Sequence, residues 1–168
     1  MTMTTTLQLT LNPSNAQLHN MQTGDLVGDI AVGFELMTAQ HFSKLPLDAM
    51  ALERAIEWTE DRIQLGRIAV PKGAILCTQE DDVRMLAAIA GLDQTTPTLH
   101  VDAVENVFSR LVLQAFGQAA PQQALPDIAR TFATVVLLRE LMHHLCFDHI
   151  QVKAKPQFQQ ANTHGPFC

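Results

Sequence analysis

Charge is scarce in this sequence. Only 17% of its 168 residues are Asp, Glu, Lys or Arg, against roughly 25% in an ordinary soluble chain. The 11 basic residues are outnumbered by 17 acidic ones, and the formal net charge is −6. No basic run is present, so the phosphate neutralisation on which nonspecific nucleic-acid binding rests is missing. A lightly charged surface also repels its copies weakly. Self-association, or docking on another protein, is therefore expected. Cysteine is scarce too. Cys77, Cys146 and Cys168 are an odd, widely spaced trio, which excludes a closed disulfide framework. With 8 Gly and 8 Pro, collagen-like composition is excluded.

Long apolar runs are missing as well. No stretch of about 20 apolar residues occurs, so no membrane span is expected. The first residues, Met1-Thr-Met-Thr-Thr-Thr6, lack the basic start and apolar core of a signal peptide. A cytoplasmic location is the resulting expectation. Gly24, Gly28 and Gly33 do not have dinucleotide-fingerprint spacing, and no P-loop or G-x-S-x-G nucleophile motif appears.

What is present is 47% hydrophobic residue content in a chain of one-domain length. Leu7, Leu9 and Leu11 alternate with polar residues, the period of a half-buried strand. Asn12-Pro-Ser-Asn15 reads as a turn. Residues 1–24 are expected to form an N-terminal arm or an edge strand, and 25–150 a single helix-rich domain. Residues 151–168 form a polar C-terminal tail.

Four helices are predicted. The first covers 47–64 and starts beside Pro46. The second opens at Thr78, taken as its N-cap, and ends at Gly91. The third covers 101–116, with Val101, Val104, Phe108, Leu111, Val112 and Ala115 on one face. Residues 118–125 link it to the fourth, which runs from Asp127 to Phe147 or Ile150. The predicted fold is mainly α, with α+β as the other possibility. Four principal helices surround one core, with a minor β element from residues 7–11, 26–37 and 68–77.

The fourth helix carries the densest group of candidate ligands, Glu140, His143, His144 and His149. Glu140-x-x-His143 matches one element of a di-iron carboxylate bundle. A second such element is missing, although Glu57, Glu60 and Glu105 are further carboxylates. A mononuclear site would combine Glu140 with His143 or His144 and a distant His41 or His100. That donor set suits a transition metal, Zn, Fe or Ni. The competing reading makes Glu140, His144 and Asp148 a solvated ion-pair stripe. Cys146 lies three residues from His143 and His149 but at the negative end of a helix, a poor place for a thiolate. With no catalytic motif found, the expected function is a small accessory or binding protein acting through protein contacts. The alternative is a metal-dependent enzyme or metal carrier centred on the last helix.

Overall fold

The computed structural model describes residues 4–44, 46–92, 95–117 and 127–156. The expected 118–125 linker, Cys168 and the tail beyond residue 156 lie outside them. In chain order the elements are β1 (Thr6–Leu11), β2 (Ala16–Asn20), β3 (Leu26–Ile30), α1 (Phe34–His41), α2 (Ala49–Leu65), β4 (Ile75–Thr78), α3 (Asp81–Ile89), β5 (Thr98–His100), α4 (Val101–Ala115), α5 (Ile128–His144) and β6 (His149–Val152).

The strands form one six-stranded mixed sheet in the order β3-β2-β1-β4-β6-β5. β1 pairs parallel with β4, and β4 parallel with β6. The remaining pairs are antiparallel. Alternation sets the faces. Leu7, Leu9 and Leu11 are buried, while Thr6, Gln8 and Thr10 stay partly exposed. The register puts Leu7 beside Leu76 and Leu9 beside Thr78, then Leu76 beside Ile150. The four apolar side chains, Leu7, Leu9, Leu76 and Ile150, share one face and join the apolar core.

α5 is the centre of the helical layer. Every residue from Thr131 to Leu138 is buried, and the helix packs against α1, α2, α3 and α4. A helix apolar around most of its circumference belongs inside a domain. Its first turn is capped by Asp127, whose carboxylate accepts the Arg130 N–H at 2.9 Å. Asp48 caps α2 in the same way. No helix among the described residues is long and apolar enough to cross a membrane.

The mainly helical expectation is therefore corrected: the core is a sheet covered by helices. The reason is strand length. β4, β5 and β6 have only three or four residues, too few to show a period. Residues 6–20 supply two strands, and β1 holds the third of six places in the sheet. β6 starts just past α5, inside what reads as helix end and tail. Thr78 ends β4, and the residue preceding α3 is Glu80.

The β1–β2 turn also fixes the start of α1. Pro13 O accepts the Glu35 and Leu36 N–H groups, each at 3.1 Å, so two orphan donors of that helix are satisfied by a distant hairpin. The approach is close enough that a Cβ on Gly33 would lie 2.3 Å from Pro13 O. Gly33→Ala is expected to destabilise the protein by about 2 kcal/mol or more, because backbone on both sides must move. Gly24→Ala, with φ +78° but open space around it, should cost about 1 kcal/mol. Chemical denaturation midpoints of the two variants check the order.

Candidate functional site

The parallel strands β1, β4 and β6 end at Leu11, Thr78 and Val152 along one edge of the sheet. There β1 turns back to β2, while β4 departs through α3 toward the β5–β6 side. Neighbouring strands whose connections leave in opposite directions open a crevice at their carboxyl ends, the usual ligand position in open α/β sheets. Thr78 closes β4 at this level. This residue is fully buried. Its hydroxyl donates to Leu9 O at 2.9 Å and accepts the Glu80 N–H at 3.2 Å. Its carbonyl accepts the Lys153 N–H at 2.7 Å. One threonine thus ties the ends of all three parallel strands.

Beside the strand ends lies an open cleft of about 570 Å³, lined by Gln8, Thr10, Gln79, Glu80, Lys155 and Pro156. Glu80 is half-buried, and its Oε1 accepts the Leu11 N–H at 3.1 Å. Residues 153–156 are strapped across the opening. Gln79 Nε2 donates to Ala154 O at 3.1 Å, and Arg84 donates to Lys153 O at 2.7 Å. The Lys155 ammonium pairs with Asp81. The α3 N-terminus has no side-chain cap. Its positive end is offset by Asp81 and Asp82. Asp82 in turn binds the Arg130 guanidinium at 2.7 Å, and that guanidinium sits 4.0 Å from the Phe34 ring centroid. The hydrogen bonds that Arg130 donates to Asp82 hold its pKa above the ordinary value. Chemically, the crevice offers a positioned carboxylate, Glu80, with a cation, Lys155, on its rim. Such a pair can take a proton from water beside an anionic ligand.

The residues expected to form a site lie at the other end of the sheet. α5 ends at His144, four residues before β6 begins at His149 and runs toward the crevice. Glu140 and His144 do come together, with Oε2 and Nε2 3.8 Å apart, and Glu60 of α2 joins them, its Oε1 3.6 Å from the same nitrogen. His143 turns instead to α4, 2.5 Å from Glu105 Oε1. His149 opens β6 and faces the His100 ring at 5.5 Å. His41 contacts Trp58, so neither distant histidine joins Glu140.

The solvated stripe does not form, because Glu140 is buried. Burial raises its pKa, only partly opposed by Arg139, and the Glu60 charge adds to the rise. Cys146 is exposed just past α5, with φ +58°. Cys77 is buried in β4, and burial pushes its thiol pKa up. Sequence reasoning missed Glu80, taking Thr78 and the acids after it as a helix cap. The available signal was an apolar run, Ala74 to Cys77, that stops at a hydroxyl and an acidic cluster.

No family model and no curated protein matches the sequence. Solved structures do match by fold. An exopolyphosphatase-like protein superimposes with a TM-score of 0.70 at 13% identity, over 89% of this chain and 54% of that one. The fold is similar to that of exopolyphosphatase-type phosphatases. The type II variant of the Aquifex aeolicus Ppx/GppA phosphatase gives 0.68 at 11% identity, over 91% and 54% of the two chains. An exopolyphosphatase from Cytophaga hutchinsonii gives 0.61 at 10%, over 90% and 53%. This chain thus spans about half the length of these Ppx/GppA-type neighbours, and likeness at such identity is one of fold. It overturns the expectation of a helical accessory protein working through protein contacts, since the neighbours are α/β phosphatases.

The polar cluster between α4 and α5 gives a pH prediction. Burial alone would raise the Glu105 pKa. Hydrogen bonds and charge from His143 and Arg139 outweigh it and hold the carboxyl below its ordinary 4.5. A depressed folded-state pKa contributes stability above the unfolded value and loses it as pH falls through the folded one. Glu105 is one-third exposed, so solvent screening limits the contribution to about 1 kcal/mol. Glu105→Gln is expected to destabilise the protein by that amount at pH 7. The difference from wild type should shrink as pH falls below 4.5. Urea titrations across that range check it.

Proposed function

We propose that this protein is a phosphoanhydride hydrolase acting on inorganic polyphosphate at the crevice lined by Gln79 and Glu80, with Glu80 as general base. The observation that carries the reading is the match of 89% of the chain to an exopolyphosphatase-like fold at a TM-score of 0.70, joined to a carboxylate at the strand-end crevice of that fold. Polyphosphate enters as its magnesium complex, which lets a polyanion approach Glu80, Asp81 and Asp82. Magnesium commonly bridges carboxylates and substrate phosphates.

Leu11 N–H holds Glu80 Oε1, leaving the other oxygen to receive a proton from water. The water oxygen attacks the terminal phosphorus as that proton moves to Glu80. The terminal P–O–P bond breaks, the bridging oxygen leaves with the shortened chain, and orthophosphate is released. The length relation favours a second reading, in which this half-length lobe binds the chain and another lobe completes the hydrolysis.

Orthophosphate release from long-chain polyphosphate with Mg²⁺, beside equilibrium binding of the same polymer, tests both. Glu80→Gln keeps the acceptor for Leu11. It should lower release by about 10²-fold or more, the usual contribution of a general base, with binding and melting temperature retained. Binding without release by the wild type favours the second reading. Absence of both overturns the proposal.

A further inference from the structure

We infer that Glu60, Glu140 and His144 form a binding site for a divalent transition ion of the zinc class, clamping α2 to α5 at the end of the sheet opposite the crevice. Glu140 and His144 lie one turn apart at the end of α5, and i, i+4 spacing puts them on one face. Glu60 comes from the helix packed against it. One donor atom from each residue lies within 4.8 Å of the other two.

The two imidazole–carboxylate separations are 3.6 and 3.8 Å. Both exceed a hydrogen bond. Both are close to the ligand–ligand edge of a zinc tetrahedron, about 3.3 Å for bonds of ~2.0–2.1 Å. Small side-chain rotations close the remaining gap.

Burial strengthens the case. The Glu140 side chain is 3% exposed, while those of His144 and Glu60 are 29% and 40% exposed. The site therefore has a dry carboxylate at its base and an opening to water. Arg139 pairs with Glu140 Oε1, leaving Oε2 on the His144 side. A ligand carboxylate oriented by a hydrogen-bonding neighbour is the usual support of a metal site. The Arg139 charge, which opposes a second cation, is itself offset by Glu105 at 2.9 Å. An imidazole in the donor set selects Zn, Fe or Ni over Mg and Ca. Three protein donors leave a coordination position for water, so the ion is exchangeable.

The test uses the full chain without a polyhistidine tag, stripped of metal and titrated with Zn²⁺ against a chromophoric chelator. One equivalent should bind, and millimolar Mg²⁺ should not displace it. Zn²⁺ should raise the melting temperature, because it binds the folded state only. Glu60→Gln and His144→Asn, both at partly exposed positions, should each weaken binding by about tenfold or more and abolish the thermal shift. His149→Asn, which alters the His100–His149 pair, should leave binding unchanged. No saturable Zn²⁺ binding would overturn the inference. So would unaltered affinity in both Glu60→Gln and His144→Asn, or loss of binding in His149→Asn.

Discussion

The buried hydroxyl of Thr78 is the contact on which the rest of this structure depends. Parallel strands have no hairpin to hold their ends in register. Here β1 and β4 are far apart in sequence, and both must stop at the same level for a crevice to exist. Thr78 sets that level by bonding Leu9 O of β1 and the Glu80 N–H in one place. Its carbonyl does the same for the chain leaving β6. The Thr78 hydroxyl and Leu9 O are withdrawn from water, and a buried polar group left without a partner costs about 1–3 kcal/mol. A hydroxyl at this position therefore closes the strand ends and also delivers Glu80 to the cleft.

The molecule has two polar ends separated by a dry middle. The eight consecutive buried residues of α5, Thr131 to Leu138, form the divide. At one end, α1 is capped by the β1–β2 turn, α3 begins beside Glu80, and α5 is tied to α3 through Arg130 and Asp82. Helix N-termini carry partial positive charge, which suits an anionic ligand once the carboxylates there are paired or bridged. At the other end lie the C-terminal turn of α5 and its histidines, with Glu60 and Glu105 facing them.

Parts of this were legible in the sequence. The leucine alternation of β1, the turn after it, the caps at Asp127 and the central place of α5 all follow from local periods and turn chemistry. The sheet did not, because β4 to β6 are shorter than any period that reveals a strand. Their stability comes from long-range pairing, such as Leu76 with Leu7 and Ile150. Glu140 and His144 were legible as neighbours on one helix face. Their partner Glu60 was only one of several carboxylates, since no helical pattern tells which helix packs opposite. Glu80 was hidden by a local rule that holds elsewhere: an acidic run after threonine reads as a helix cap, and only the tertiary pairing of β4 with β1 turns it into the wall of a cleft.

The central claim is that the carboxyl-end crevice, rather than the histidine end, receives the phosphoryl ligand. Backbone amide shifts recorded while magnesium tripolyphosphate is added test it most directly. The account predicts the largest saturable changes at residues 8–11, 79–84 and 153–155, with residues 140–144 little affected. Changes centred on 140–144, or none at saturating ligand, would contradict it.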